Sequence, residues 1–176
     1  DAIKSVEDLT RAVRLDPMDG DAFHERGVVY FTSQEYDRAF VDFTRALARG
    51  VRTFRAYRNR GLVSLNSGNY DLAHRDFTRS IDLEPKDPFT YMLRALAWQY
   101  RGDRAREIED LTRAIEIDAH RADAYHLRAQ AREALRDLDG ARRDYVKTLE
   151  EHPMDWDQHD AVIEHARKID KQRVEG

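Results

Sequence analysis

The sequence predicts an all-α protein built from paired helices that recur every 34 residues. A first pattern, an aromatic residue followed by x-x-Arg and then Gly or Ala, begins at Phe23, Tyr57, Tyr91 and Tyr125. A second pattern of five residues begins at Asp8, Asp42, Asp76, Asp110 and Asp144, again 34 residues apart and without an insertion. A fixed period of this length is typical of solenoids, in which each unit buries its apolar face against the next.

Each unit has the pattern of two amphipathic helices joined by a turn. In 54–67, apolar and small residues follow the spacing of one helical face: Tyr57, Gly61, Leu62 and Leu65. Gly68 and Asn69 interrupt this spacing, as a turn requires. It resumes in steps of three and four at Tyr70, Ala73, Phe77 and Ile81. We therefore expect a hairpin in every unit, with the arginine pattern on its first helix and the aspartate pattern on its second.

Proline and glycine mark the expected helix ends. Second helices should stop at Pro17, Pro85 and Pro153. In the units that lack this proline, the chain must turn at Gly50 and at 119–120. Asp87 followed by Pro88 is a typical helix start, with a capping carboxylate before a proline at the first helical position. Together these signals predict ten helices.

The unit resembles the tetratricopeptide repeat, a helix-turn-helix repeat of the same length. The small residues expected in first helices are Gly27, Gly61, Ala95 and Ala129. In second helices the bulky residues are Phe43, Phe77, Leu111 and Tyr145, and the small ones Ala46, Ser80, Ala114 and Thr148. Another small position holds Ala39, Ala73 and Ala141, whereas Glu107 departs from it. The resemblance implies a right-handed α-α superhelical solenoid of stacked repeats, with a C-terminal capping helix and a concave face built from first helices.

The resemblance covers almost the whole chain as a single domain. Its parts are the second helix of a truncated repeat at 1–19, full repeats at 20–53, 54–87, 88–121 and 122–154, and a capping helix at 155–172. The last helix carries Trp156, Val162, Ile163, Ala166 and Ile169 among charged residues, as the end of a solenoid requires. Because 1–15 match only a second helix and the chain does not begin with methionine, we expect this domain to be part of a longer protein.

Composition argues against several classes of function. With 30 basic and 34 acidic residues, the formal net charge of −4 is not that of a protein that coats nucleic acid or an anionic membrane. No apolar run approaches the length of a membrane span, and no signal peptide begins the chain, so membrane insertion is not expected. Cysteine is absent, which rules out disulfides and thiolate metal sites and leaves the cellular compartment open.

The repeated arginines are interpreted as part of the scaffold: Arg26, Arg60, Arg94 and Arg128. A ligand site would rarely be copied into four units whose other exposed residues differ. A half-buried guanidinium needs a fixed carboxylate or carbonyl partner, and the repeated aspartates of the same or the preceding unit are the expected partners. In contrast, Arg52, Arg55 and Arg58 are not repeated, and their spacing of three predicts that they share one helical face.

The resemblance also implies which first-helix residues line the inner surface, where an apolar strip lies beside two arginines. The candidate partner-binding residues are His24, Val28, Phe31, Arg55, Arg58, Leu62, Leu65, Asn66, Phe89, Met92, Leu96, Gln99 and Tyr100. Phe89, Met92 and Tyr100 are expected to add exposed apolar surface, which marks binding sites. We expect a protein or peptide partner, an amphipathic helix or an extended apolar segment, whose acidic residues meet Arg55 and Arg58.

An acidic stretch near the end of the chain gives this expected groove a polarity. It comprises Glu150, Glu151, Asp155, Asp157 and Asp160. Such residues would repel an acidic ligand at that end. The alternative is a solvated surface that keeps the last repeat soluble.

Two defined peptide-binding modes of the family are not expected here. A carboxylate clamp for C-terminal tails ending in Glu-Glu-Val-Asp needs Lys, Arg and Asn at five places. Those places hold His24, Val28, Asn59, Phe89 and Leu93, of which only Asn59 fits. A ladder of asparagines that holds a peptide backbone is also missing, since the equivalent residues are Glu25, Asn59, Leu93 and Leu127.

No constellation of residues predicts catalysis, and the sequence predicts neither an enzyme nor a cofactor. Among the seven histidines no pair has zinc-ligand spacing with a third ligand. Glycine-rich phosphate loops and nucleophile elbows are also missing. RNA or another polyanion, bound through Arg52, Arg55 and Arg58, is the less favoured partner because these arginines are confined to one unit. A purely structural oligomerisation module, such as a homodimer held by the same apolar strip, is the third alternative.

Overall fold

A computed structural model describes residues 2–151 and 159–175 of the chain, with side chains described for 5–151 and 159–171. These residues form ten α-helices, and no strand occurs among them. The helices are α1 Ala2–Leu15, α2 Gly20–Thr32, α3 Tyr36–Ala48, α4 Phe54–Asn66, α5 Tyr70–Leu83, α6 Pro88–Tyr100, α7 Arg104–Ile117, α8 Ala122–Ala134, α9 Leu138–Glu151 and α10 His159–Glu175. The predicted all-α class and the predicted number of helices are confirmed.

The helices form two compact units, each made of helices that pack on their neighbours in the sequence. The N-terminal unit contains α1 to α5, and its closest packing joins α2 with α3 and α4 with α5. The C-terminal unit contains α6 to α10, and its closest packing joins α6 with α7 and α8 with α9. In both units the closest pairs are the two helices of one predicted hairpin.

In the N-terminal unit, glycine lets paired helices approach closely, as the sequence predicts. A Cβ atom added to Gly27 would lie 2.8 Å from Cε1 of Phe43, and one added to Gly61 would lie 2.7 Å from Cε1 of Phe77. Both phenylalanine rings are completely buried. The absence of a side chain on the first helix therefore makes room for the aromatic ring of the second.

The C-terminal unit uses alanine at the same positions and closes on α10. Ala129 is completely buried in a cluster around Tyr145, and Val162 and Ile169 of α10 belong to the same cluster. This helix extends to Glu175 rather than ending at 172, because neither proline nor glycine interrupts it before Gly176. Trp156 and Pro153 lie outside the described residues.

The turns inside the hairpins share a left-handed backbone conformation. It occurs at Gln34, Gly68, Gly102 and Arg136, with φ of 61°, 75°, 78° and 64°. Glycine adopts this conformation without strain, whereas the glutamine and the arginine do so at a cost. These residues are also spaced by 34, so the turn is a repeated feature that the sequence signals by glycine in only two of the four hairpins.

Capping residues fix several helix starts. Asp19, Thr53, Asn69, Asp87 and Asp103 each accept a backbone N–H bond with the side chain. The predicted start at Asp87 and Pro88 is confirmed, because the carboxylate accepts from the amide of Phe89 and the proline is the first residue of α6.

Candidate functional site

The repeated arginines are bound by aspartates of their own repeat. Each guanidinium donates two parallel hydrogen bonds to one carboxylate, in the pairs Arg26–Asp42, Arg60–Asp76, Arg94–Asp110 and Arg128–Asp144, over 2.7 to 2.9 Å. The aspartate side chains are at most 8% exposed. For Arg60, the hydrogen bond to Asp76 raises the pKa further above its ordinary value, despite partial burial. These contacts agree with the scaffold interpretation and select the aspartate of the same repeat.

Two of these arginines also reach the helix that precedes their own hairpin. Nη1 of Arg26 donates to Oγ1 of Thr10 on α1 at 3.2 Å, and Nη1 of Arg128 donates to Oγ1 of Thr112 on α7 at 3.0 Å. The planar guanidinium thereby joins three helices at once, its own, the second helix of its hairpin and the second helix before it.

The unrepeated arginines of α4 lie around the ring of Phe54. The Cζ atoms of Arg55 and Arg58 are 5.5 Å and 5.4 Å from the centroid of that ring. Arg55 is exposed and Arg58 is half-buried. Each of these two cationic groups thus lies within cation–π distance of the same aromatic ring.

The prediction that Arg52, Arg55 and Arg58 share one helical face is wrong for Arg52. The hydroxyl of Thr53 accepts the N–H bond of Ala56 at 3.2 Å, so Thr53 caps the helix and α4 begins at Phe54. Arg52 therefore precedes the helix and lies in the turn before it. The prediction was wrong because spacing alone does not reveal where a capping residue starts the helix.

Arg52 and Arg55 nevertheless meet in one cleft of the N-terminal unit. The cleft has a volume of about 540 Å³ and is lined by Asp21, His24, Val51, Arg52, Thr53, Phe54, Arg55 and Leu83. Leu83, at the end of α5, is 42% exposed and was not among the predicted residues. Its counterparts in the other repeats are Leu15, Arg49, Ile117 and Glu151, so the sequence gives no clear signal at this position.

The predicted residues of α2 are only partly accessible. His24 is half-buried, with Nε2 3.3 Å from the amide nitrogen of Asn59 and its ring centroid 5.6 Å from that of Phe43. Val28 and Phe31 are also half-buried and pack against the core cluster that contains Phe43. These two apolar residues thus belong in part to the core.

The remaining α4 candidates lie along the C-terminal half of the helix. Leu62 and Leu65 are half-buried, and Asn66 is exposed. The side-chain amide of Asn66 donates to the carbonyl oxygen of Leu62 at 3.0 Å. This hydrogen bond within the helix fixes the orientation of the side-chain amide of Asn66.

In the C-terminal unit, α6 exposes two aromatic side chains. Phe89 is 40% exposed and Tyr100 is 60% exposed, as expected. Met92 differs, because it is only 6% exposed and its Sδ lies 3.4 Å from Nη2 of Arg121. The expectation that Met92 adds exposed apolar surface is therefore wrong. The other two α6 candidates, Leu96 and Gln99, are half-buried.

A second cleft, of about 560 Å³, lies in the C-terminal unit. It is lined by Gln130, Glu133, Ala134, Arg136, Tyr145, His165 and Lys168. Tyr145 donates its hydroxyl to Oε2 of Glu133 at 2.9 Å, and Nδ1 of His165 is 3.3 Å from the same oxygen. Burial, then this hydrogen bond, raises the pKa of Tyr145 well above its ordinary range. The sequence does not indicate this grouping, because His165 is on the last helix and follows no repeat.

Two glutamates of the acidic stretch, Glu150 and Glu151, lie beside basic side chains. Lys147 lies 2.5 Å from Oε2 of Glu150, and Nδ1 of His120 lies 2.9 Å from Oε2 of Glu151. The hydrogen bond to Glu151 raises the pKa of His120. Asp155 and Asp157 lie outside the described residues. Repulsion of an acidic ligand at this end stays a prediction.

Neither a metal site nor a membrane span is found where the structure is described. Within 2–151 and 159–175, no group of three or more His, Asp or Glu side chains is placed to hold a metal ion. Across the same residues, no helix combines the length and the apolarity that a bilayer crossing needs.

Comparison with known proteins identifies the repeat. Residues 54–87 match the family model described as tetratricopeptide repeat. No curated protein matches the chain. The resemblance inferred from the sequence is therefore confirmed for the repeat itself.

Solved structures share the fold. MamA 41-end from Desulfovibrio magneticus RS-1 is 21% identical with a TM-score of 0.82, over 85% of each chain. YrrB, a TPR protein with an unusual peptide-binding site, is 19% identical with a TM-score of 0.82, over 95% of this chain and 84% of that chain. The first TPR of Spaghetti (RPAP3), solved bound to HSP90 peptide SRMEEVD, is 26% identical with a TM-score of 0.63, over 71% of this chain and 99% of that chain. The predicted fold class, that of tetratricopeptide-repeat solenoids, is confirmed.

Proposed function

We propose that this chain, which has the tetratricopeptide-repeat fold, is a protein-interaction scaffold without catalytic activity that binds a peptide or helix carrying acidic and apolar residues. The observation that carries the proposal is the cleft of the N-terminal unit. There Arg52 and Arg55 lie beside Phe54 and the exposed side chain of Leu83. Adjacent cationic and apolar groups fit a partner that presents an acidic side chain next to an apolar one.

The contacts around Phe54 explain why an acidic side chain would bind there. Both Arg55 and Arg58 lie within 5.5 Å of the ring centroid, so both positive charges lie beside the same aromatic ring. A carboxylate placed between two guanidinium groups gains charge-assisted hydrogen bonds from both. Apolar residues of the partner would then cover Phe54 and Leu83 and exclude water from these bonds.

The C-terminal unit contributes exposed aromatic residues to partner binding. Phe89 and Tyr100, at opposite ends of α6, keep 40% and 60% of their surface exposed. Large aromatic residues supply much of the binding energy of protein interfaces. We therefore propose Phe89, Leu96, Gln99 and Tyr100 as partner-binding residues and leave out Met92, which is only 6% exposed.

The relatives support peptide binding as a class but not one particular peptide. YrrB has a peptide-binding site, and the TPR of Spaghetti was solved with an HSP90 peptide. In this chain the only residue that fits the carboxylate clamp, Asn59, lies 3.3 Å from His24. A C-terminal tail of the Glu-Glu-Val-Asp type is therefore not the proposed partner.

A peptide library tests the proposal. The full chain is screened against amphipathic helical peptides whose apolar face is constant and whose flanking residues are acidic, neutral or basic. Acidic peptides should bind best, and the combined substitution Arg52→Gln and Arg55→Gln should weaken them about tenfold or more, as expected for loss of charged hydrogen bonds. The matched control is Arg79→Gln on the second helix α5, where the side chain is 55% exposed and pairs with Asp82. It should leave the affinity unchanged.

The same experiment distinguishes the alternatives. Phe89→Ala with Tyr100→Ala should weaken peptides that need the C-terminal unit, whereas Val41→Ala on α3, also an exposed apolar residue, should not. A single-stranded RNA probe is titrated in parallel at low and high salt. RNA binding that is steeply salt-dependent and lost with the arginine substitutions, without peptide binding, would overturn the proposal in favour of a polyanion partner. Self-association lost with the aromatic substitutions, again without peptide binding, would favour the oligomerisation module.

A further inference from the structure

The cleft of the C-terminal unit, which we call the C-terminal cleft, is more polar than the equivalent surface of the other hairpins. Gln130 and Glu133 line it from α8. Their counterparts in the other repeats are Val28, Leu62 and Leu96 for Gln130, and Phe31, Leu65 and Gln99 for Glu133. The last hairpin therefore places hydrogen-bonding groups where the other hairpins carry mainly apolar side chains.

One oxygen of the Glu133 carboxylate is fixed, and the other is available. Oε2 accepts the hydroxyl of the completely buried Tyr145 at 2.9 Å and lies 3.3 Å from Nδ1 of His165. The counterparts of Tyr145, which are Phe43, Phe77 and Leu111, have no hydroxyl that could hold a carboxylate in this way. Oε1 has no hydrogen-bond partner within 5–151 and 159–171, and the side chain is 24% exposed. Glu133 is thus held in place with an acceptor directed to no other described side chain.

Two cationic side chains line the same cleft without a carboxylate partner. Arg136 comes from the turn between α8 and α9, Lys168 comes from α10, and both are exposed. Among the described residues, neither side chain forms an ion pair or a hydrogen bond. Arg136 is only three residues from Glu133, yet the two side chains do not pair. The C-terminal cleft therefore offers positive groups and a negative group that do not neutralise each other.

The backbone of Arg136 adds a second observation about this residue. Its φ is 64°, whereas glycine takes this left-handed conformation at the counterparts Gly68 and Gly102. An arginine costs conformational energy there that a glycine does not. Residues held in such a conformation occur mainly at functional sites, where the side chain compensates for the strain. The guanidinium in the cleft gives Arg136 such a role.

We propose that the C-terminal cleft binds a free α-amino acid in its zwitterionic form. The carboxylate of the ligand accepts charged hydrogen bonds from Arg136 and Lys168, and its ammonium group donates to Oε1 of Glu133. Gln130, whose side-chain nitrogen lies 3.0 Å from Nε2 of His126, offers its oxygen as a further acceptor. The volume of about 560 Å³ lies in the ordinary range of small-molecule sites.

Charge favours a zwitterion over a simple anion or a simple cation. A phosphate dianion would bring two negative charges close to the carboxylate of Glu133, and a simple cation would be repelled by Arg136 and Lys168. An amino acid presents one charge of each sign and so matches both kinds of group. The site shares no residue with the peptide-binding surfaces of the proposed function, so either proposal can fail without the other.

The probes are the standard L-amino acids, each titrated into the full chain. Binding is followed by the NMR chemical shifts of the backbone amides at 133–137 and 165–168, and we expect saturable shifts. The amino acid that binds best is then compared with its deaminated and decarboxylated analogues, which for leucine are 4-methylpentanoate and 3-methylbutylamine. Each analogue should bind about tenfold or more weakly, because it lacks one of the two charged groups.

Substitutions in the cleft should produce matching losses. Glu133→Gln should weaken binding of the amino acid about tenfold without weakening the deaminated analogue, which has no ammonium group to lose. Lys168→Gln should weaken both ligands. The matched control is Lys171→Gln at an exposed position of the same helix, which should change neither affinity.

Arg136→Gly separates ligand binding from stability. Relief of the left-handed strain should raise the urea midpoint, although the unfolded chain gains entropy, while amino-acid binding is lost. Gln34→Gly, at the equivalent turn of the N-terminal unit, should also raise the midpoint and leave binding unchanged. The proposal would be overturned by equal binding of the deaminated analogue, by full binding in the Arg136→Gly or Lys168→Gln chain, or by the absence of saturable shifts with every amino acid.

Discussion

Helix α4 carries two kinds of arginine within six residues, and they behave in opposite ways. Arg60 belongs to the repeated pattern, holds Asp76 with two hydrogen bonds of 2.7 Å and is 18% exposed. Arg55 belongs to no pattern, is exposed and lines a cleft beside Phe54. In α4 the arginine of the repeated pattern therefore holds the hairpin together, whereas the unrepeated Arg55 is accessible.

The largest expected effect comes from removing the repeated arginine. Arg60→Met leaves the carboxylate of Asp76, only 4% exposed, without its charged partner. We expect the free energy of unfolding to fall by about 3 kcal/mol. The measurement is urea denaturation followed by circular dichroism, with Arg79→Met on the exposed side of α5 as the control. An unchanged stability together with lost peptide binding would show that Arg60 is a ligand residue after all.

A double substitution distinguishes the contribution of charge pairing to stability from the contribution of side-chain packing. Arg60→Met combined with Asp76→Leu replaces both charged groups by apolar ones and leaves no buried charge. Most of the lost stability should then return, because a buried ion pair and a well-packed apolar pair are often nearly equivalent. If the double variant is as unstable as Arg60→Met, the pair contributes through its geometry rather than through charge balance.

A smaller effect is expected at the neighbouring Gly61. In Gly61→Ala the new Cβ atom would lie 2.7 Å from Cε1 of Phe77, so the buried ring must move. Overpacking costs about 1–3 kcal/mol, while the gain in helix propensity is about 1 kcal/mol. We expect a net loss of about 1 kcal/mol, measured by urea denaturation. Adding Phe77→Leu should restore stability, because this pair copies Ala95 and Leu111 of the next repeat. A stabilising Gly61→Ala would contradict close packing at this position.

The sequence predicts those features of the structure that repeated or local signals encode, and it fails for contacts between unrepeated residues. The hairpins, the arginine–aspartate pairs and the start of α6 follow from repeated or local signals, and all are found. Arg52 was misplaced because a capping bond at Thr53 decides where α4 begins. Met92 was misjudged because Arg121, 29 residues away, packs on it. Contacts between unrepeated residues that are distant in the chain have no periodic signal.

Glu107 provides a prediction about pH. Other repeats have a fully buried alanine at this position, and Glu107 is also buried, at 1% exposure. Burial raises the pKa of Glu107, and the ion pair with Arg104, at 2.7 Å, opposes this only in part. The folded state therefore holds the proton more tightly than the unfolded state, so stability falls as pH rises from the ordinary range of the carboxyl through its raised pKa.

Glu107→Gln keeps the size of the side chain and its acceptor for Arg104 but removes the charge. We expect this variant to match the wild type in acid and to exceed it at neutral pH by about 1 kcal/mol or less. Urea denaturation over a pH series measures the difference, and Glu109→Gln at an exposed position of the same helix is the control. A variant less stable than the wild type at neutral pH would mean that the ion pair with Arg104 outweighs the cost of burial.

The smallest effect on stability is expected at Arg55. Arg55→Gln removes an exposed side chain, and the free energy of unfolding should stay within about 0.5 kcal/mol of the wild type. Its effect should appear instead in the affinity for the best acidic peptide of the library, measured by titration at low salt. Arg60→Met should show the reverse pattern, with stability lost and the affinity of the remaining folded protein retained. If Arg55→Gln destabilised the protein as Arg60→Met does, the contrast between the two arginines of α4 would fail, because Arg55 would be holding the hairpin as well.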